Sequence, residues 1–221
     1  MVARKDGGGG RSEAAAPSTR RRAVAVGLTG GIGAGKSTAL TMFRELGAVT
    51  TSADAIVHDL YGQAEFVARL REHFGEAAFD EQGKIDRRRL SALVRGRPEE
   101  LRWLEALTHP LVAEEIERFV HEAPDGAVAV CEVPLLFEAG YERLFDLIVT
   151  IEAAHEHRLS RSQHRFHPES FHEFERLQAT SEQRTRGSHL AYHNDGDFTA
   201  MREFVAGVYA HARALLKESP G

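Results

Sequence analysis

A single cysteine, Cys131, excludes any internal disulfide. It sits in the apolar stretch Val128-Ala129-Val130-Cys131 and reads as a small buried hydrophobe, a usage that suits a reducing cytoplasm. Long apolar runs are missing too. Residues 128–137 are broken by Glu132 and Pro134, so nothing reaches the roughly 18 consecutive apolar residues that a membrane span requires. Nor is there an excess of positive charge: 28 Lys and Arg against 33 Asp and Glu give a net charge of -5. No general basic field exists to displace counterions from nucleic acid, and neither a nucleic acid nor a membrane is expected as a partner. Arg20-Arg21-Arg22 before residues 23–28 imitates an export signal, but the apolar run is short and enters a glycine-rich turn, not a small-residue cleavage site.

What is present suits one main domain with inserted subdomains: 221 residues, 42% of them hydrophobic. Residues 1–22 mix glycine, serine, alanine and scattered charge with too little apolar surface to offset the entropy of ordering, and are expected to be a disordered tail. Residues 23–28 form a short β-branched run, and helical spacing begins at Ser37 after a glycine-rich turn, which predicts strand, loop, helix. A second strand is expected at residues 48–51 after Gly47. Continuous apolar runs at 128–133 and 147–151 suit strands covered on both faces. The fold class is therefore α/β, a parallel sheet flanked by helices. Its core is expected from residues 23–55, 110–154 and 190–217, the last ending in an amphipathic helix with Phe204, Val208, Ala212 and Leu215 on one side. Residues 56–109 read as a helical insertion and 155–189 as an Arg-rich lid.

Gly30-Gly31-Ile32-Gly33-Ala34-Gly35-Lys36-Ser37 satisfies G-x-x-x-x-G-K-[ST] and lies between a predicted strand and a predicted helix, the context that makes the pattern a phosphate cradle. Gly31, Ile32, Gly33, Ala34, Gly35, Lys36, Ser37 and Thr38 are the candidate ATP contacts: backbone N–H groups ring the phosphates, aided by the helix dipole. Lys36 supplies a point charge, and the Ser37 hydroxyl is a hard oxygen for Mg²⁺. A dinucleotide loop would have no use for Lys-Ser at the helix start.

No N-K-x-D for guanine, no L-S-G-G-Q and no strand ending in Asp-Glu accompany this loop, which points toward a kinase. A kinase must deprotonate its acceptor and neutralise the phosphoryl group in flight. Asp54, after the second strand, is the candidate base, with a helix-capping role as its competing reading. Arg161 and Arg165, spaced i, i+4, could close on the triphosphate with Arg184 or Arg186 assisting. Arg87, Arg88 and Arg89 could grip a substrate pyrophosphate or be solvated. His155, His157, His164, His167 and His172 suggest a metal site, but Pro168 interrupts any single helical face and no cysteine or paired carboxylate completes a shell. His109-Pro110 reads as a helix start.

Gly27-Leu28-Thr29 leading into the loop resembles the opening of the dephospho-coenzyme A kinase family. Further segments are similar: Ser52-Ala53-Asp54, Gly83-Lys84-Ile85-Asp86-Arg87, Thr108-His109-Pro110-Leu111, Val133-Pro134-Leu135-Leu136-Phe137-Glu138, Gln178, and Asn194-Asp195-Gly196. The resemblance implies a P-loop kinase fold and a cytoplasmic, monomeric enzyme that uses ATP and Mg²⁺ to phosphorylate the ribose 3′-hydroxyl of dephospho-CoA. It also implies Asp54 as the catalytic aspartate, residues 56–109 as the CoA-binding region, and Pro134 and Glu138 near the ribose. Ser52 stands where the family has a first aspartate, and Ser188-His189 where it has Ala-Asp. A nucleoside or nucleotide kinase of the same architecture, and a nucleotide-dependent nucleic-acid-binding switch, are the alternatives.

Overall fold

The first strand, β1 (Ala23–Gly30), is buried at every position because it lies in the middle of the sheet with helices over both faces. The computed structural model describes residues 23–163 and 168–217; the expected tail and Arg165 lie outside the described residues. β1 pairs in parallel with β3 (Ala127–Glu132) on one side and β4 (Leu147–Glu152) on the other. Outside these run β2 (Val49–Ser52) and β5 (Leu190–His193), also parallel, giving the order β2-β3-β1-β4-β5.

Period-two alternation sorts the core. Val24, Val26 and Leu28 of β1 join Val128, Val130, Val149 and Ile151 on one face, covered by α1 (Lys36–Glu45) and the amphipathic α9 (Phe198–Leu215). Ala25 and Gly27 face the other way, where a Cβ on Gly27 would lie 2.7 Å from the Phe145 ring. Small residues on that face let α2 (Ala53–Leu60), α3 (Ala64–Phe74), α4 (Arg87–Val94) and α5 (Pro98–Glu122) pack Ile56, Leu60, Phe66, Leu70, Leu90 and Ile116 beneath the sheet. Cys131 is fully buried there, and burial pushes its thiol up to about 12. The remaining helices are α6 (His155–Ser162), α7 (Pro168–Leu177) and α8 (Ser181–Gly187). Among the described residues no helix is long and apolar enough to cross a membrane.

Three local readings change. His109-Pro110 does not start a helix: both lie inside α5, which runs unbroken across the expected boundary between insertion and core. The Tyr141 hydroxyl donates to the His109 carbonyl at 3.0 Å beside the proline. β5 has only four residues in a half-buried edge strand and carries no continuous apolar run, so its sequence gives no strand signal. Pro168 opens α7, and His172 and Glu175 of that helix lie beside His155 of α6, a grouping that reading the segment as one helical face could not find.

Candidate active site

The loop between β1 and α1 stands at the carboxyl edge of the sheet, where α/β folds place ligands. Gly33 and Gly35 carry positive φ, 75° and 109°. A Cβ on Gly33 would fall 2.4 Å from the Arg158 carbonyl oxygen, and one on Gly35 would fall 2.6 Å from Asn194 Nδ2. These positions therefore need glycine both for conformation and for space. Gly35 caps α1 with no side-chain hydrogen bond, so the first N–H groups of the helix face the cleft unclaimed by a cap, as an anion requires. Gly31, Ile32, Ala34 and Thr38 complete the loop and the first helical turn.

Lys36 is buried, and its Nζ donates to the carbonyls of Gly30 and Gly31, both at 2.9 Å. Desolvation by burial is the largest influence on it and pushes its pKa down to about 8; Glu132 opposes this and Arg184 reinforces it. Ser37 Oγ lies 3.4 Å from Glu132 Oε1 at the end of β3. Two hard oxygens this close suit neighbouring places around a magnesium ion, which draws such oxygens to about 3.0 Å of one another at bond lengths of about 2.1 Å.

A cleft of about 950 Å³ opens from this loop. Gly33, Gly35, Lys36, Ser37 and Glu132 line its floor, Asp54 and Arg87 one wall, and Arg161, Phe174 and Gln178 the lid side. Asp54 lies in the first turn of α2, but the cap is Ser52, whose Oγ accepts from Ala55 N–H at 3.1 Å. The serine in place of the family's aspartate thus keeps the helix start. Of the three consecutive arginines only Arg87 lines the cleft, over the Tyr61 ring; Arg89 donates to the Phe79 carbonyl.

The match to known families is then direct. Residues 24–200 match the sequence pattern of the family described as CoaE: Dephospho-CoA kinase. This chain belongs to the dephospho-CoA kinase family. It is 33% identical over 179 residues to dephospho-CoA kinase from Mannheimia succiniciproducens, covering 80% of this chain and 83% of that protein. It is 38% identical over 132 residues to the enzyme from Aquifex aeolicus, 59% of this chain and 67% of the relative. With that relative and with the one from Brucella melitensis, at 64%, the match spans about two thirds of the relative's length. The crystal structure of TT1252 from Thermus thermophilus superposes with a TM-score of 0.74 at 30% identity, covering 86% of this chain and 98% of that one. Membership in a family of ATP-dependent kinases agrees with the phosphate loop on this sheet.

Beyond the residues singled out as catalytic or nucleotide-binding, four more line or brace this cleft, one of them, Glu138, expected near it from the family resemblance. Glu132 closes β3 beside Ser37; its signal was the lone carboxylate ending a buried strand. Gln178 knits three segments together: Ile32 N–H donates to its Oε1 at 2.8 Å, while its Nε2 donates to Gly30 O at 3.2 Å and Pro134 O at 3.0 Å. Glu138 accepts from Ala179 N–H, so the loop after β3 is held against the lid. Asn194 Nδ2 donates to Ala34 O at 2.7 Å, fixing the loop from β5.

Arg184 corrects an expectation. It is no mobile lid cation: its Nε and Nη2 meet Glu152 Oε1 and Oε2 at 2.6 and 2.7 Å in a buried, bidentate pair. Arg186 is exposed and pairs with Glu182. Arg158 and Arg184 both pack on the loop, Arg158 Cδ and Arg184 Nη2 lying 3.1 and 3.2 Å from where a Gly31 Cβ would stand, while Arg161 lines the cleft. At the Ser188-His189 departure, Ile148 N–H donates to His189 Nδ1 at 2.8 Å, so the imidazole supplies an acceptor that a carboxylate would also supply.

Proposed function

We propose that this chain transfers the γ-phosphoryl group of ATP to the ribose 3′-hydroxyl of dephospho-CoA, giving CoA and ADP. The observation that carries the reading is one cleft with an uncapped helix start and Lys36 on its floor, Asp54 on its wall and arginines on opposite sides. Its volume of about 950 Å³ falls at the upper end of the range typical of small-molecule sites and suits a bulky acceptor beside a nucleotide.

Residues 31–38 cradle the β and γ phosphates, chiefly through N–H groups of the loop and helix start other than that of Ile32, which Gln178 holds, and Lys36 moves its ammonium from the Gly30 and Gly31 carbonyls onto them. Asp54 accepts the proton of the 3′-hydroxyl as that oxygen bonds to the γ phosphorus and the bond to the ADP oxygen breaks. Arg161 and Arg165 balance the charge on the transferring group, while Arg87 meets the acceptor's pyrophosphate. Ser37 and Glu132 would hold Mg²⁺, which supplies charge neutralisation when bound. Gln178 and Glu138 link the acceptor-side loop to the phosphate loop, so acceptor binding and loop geometry are coupled. A monomer in the cytoplasm completes the reading, the latter in keeping with the buried, free thiol of Cys131.

A coupled ADP assay across dephospho-CoA, mononucleotides and nucleosides tests it. The proposal expects dephospho-CoA to be turned over fastest by kcat/KM. Faster turnover of a mononucleotide, or ADP release indifferent to acceptor, would refute it.

A further inference from the structure

Away from the phosphate loop, α6 and α7 bring two imidazoles and a carboxylate to one point. His155 opens α6; His172 and Glu175 lie three residues apart on α7 and therefore share a face. His155 Nδ1 stands 3.1 Å from Glu175 Oε1, and His172 Nδ1 stands 3.7 Å from Oε2. One ligand atom from each of the three residues lies within 4.8 Å of the other two. The imidazole planes are nearly parallel, at 13°, and the buried Phe171 ring meets both edge-on. That ring limits the orientations open to each histidine.

Chemistry favours coordination over a plain ion pair. Arg158 Nη2 already donates to Glu175 Oε1 at 2.6 Å, so the carboxylate has its countercharge without either histidine. An outer partner of this kind is what orients a coordinating carboxylate. Zinc-to-nitrogen and zinc-to-oxygen bonds of about 2.0 to 2.2 Å place tetrahedral ligand atoms about 3.3 to 3.5 Å apart, a range that the 3.1 and 3.7 Å from the two histidines to the carboxylate bracket. The histidines, 48% and 46% exposed, leave room for water to complete the shell.

We propose that His155, His172 and Glu175 form a binding site for a divalent transition ion of the zinc class, tying α6 to α7 on the lid. Imidazole nitrogen separates this site from the Ser37 and Glu132 oxygens, which suit a harder ion. Because Arg158 is shared between Glu175 and the Gly31 segment of the loop, the site lies one side chain away from the phosphate cradle.

Cobalt(II) is the probe: the full chain, with excess Mg²⁺ present to occupy hard-oxygen sites, is titrated and followed by the visible absorption of four-coordinate cobalt. We expect one equivalent to bind, and Zn²⁺ to displace it. His155→Asn and His172→Asn should each weaken binding at least about tenfold, the scale at which even outer-shell changes are felt. His211→Asn, an exposed histidine on α9, should change nothing. Circular dichroism melts establish that each variant is folded at the titration temperature. Unchanged affinity and spectrum in both His155→Asn and His172→Asn, or no cobalt band in the wild type, would overturn the proposal.

Discussion

Replacing Glu152 by Gln should unfold this protein at a markedly lower temperature, although the change swaps one atom for another of nearly equal size. Glu152 and Arg184 each expose 4% of their side chains. Nε and Nη2 of the guanidinium meet both carboxylate oxygens, Thr150 Oγ1 donates to Oε1 at 3.2 Å, and the remaining Arg184 nitrogen donates to the Ala179 carbonyl. Burial alone would raise the Glu152 carboxyl, but the Arg184 hydrogen bonds and charge hold it below the ordinary range, so the group is ionised when folded. Glutamine keeps one acceptor, turns an N–H₂ toward the guanidinium, and leaves a buried positive charge without its counterion. Breaking a buried pair in this way costs about 3 to 5 kcal/mol. For a chain of this size each kcal/mol shifts the midpoint by about 2 to 4 °C, which gives a loss of about 6 to 20 °C. Thermal denaturation followed by circular dichroism reads it. The double variant Glu152→Leu with Arg184→Met removes both charges and should melt closer to wild type than Glu152→Gln does. A Glu152→Gln midpoint within about 2 °C of wild type, less than 1 kcal/mol, would refute the reasoning.

Lys36, pushed down to about 8, is charged below that pH and neutral above it, and only the charged form attracts phosphate. KM for ATP should therefore be flat below about pH 8 and climb above it, up to about tenfold per unit; a flat profile through pH 9.5 contradicts this. Gly35→Ala forces a side chain into φ 109° and into Asn194 Nδ2 at 2.6 Å, costing on the order of 1 to 3 kcal/mol. Calorimetry should register that as an ATP affinity roughly 10- to 100-fold weaker, and wild-type affinity would count against the loop geometry. Gln178→Glu turns a donor to Gly30 O and Pro134 O into an acceptor, leaving carbonyls unsatisfied at about 1 to 3 kcal/mol each. Unchanged melting and unchanged KM for both substrates would remove Gln178 from its bridging position.

Much of this was legible in the chain because the signals are local. The strand at residues 23–28, the loop ending in Lys36-Ser37 and the apolar runs at 128–133 and 147–151 each report on neighbours in sequence. What the sequence did not disclose depends on contacts across it. Arg184 looks like any lid arginine until β4 brings Glu152 against it, 32 residues away. Gln178 reaches Ile32 across 146 residues, and no spacing rule anticipates such a hydrogen bond. Pro110 signals a helix start, yet it lies inside the 25-residue α5, whose packing along its length carries the helix past it. Asp54 had a capping role as a rival until the structure gave the cap to Ser52.

The claim on which the mechanism turns is that Asp54 takes the acceptor's proton while the loop at residues 30–37 holds ATP independently of it. Turnover of dephospho-CoA by Asp54→Asn, measured together with its ATP dissociation constant, separates the two functions. The account predicts kcat lower by about 10² to 10⁴ with ATP affinity unchanged, the scale expected for a general base. A variant that keeps wild-type kcat, or that loses ATP binding instead, would contradict it.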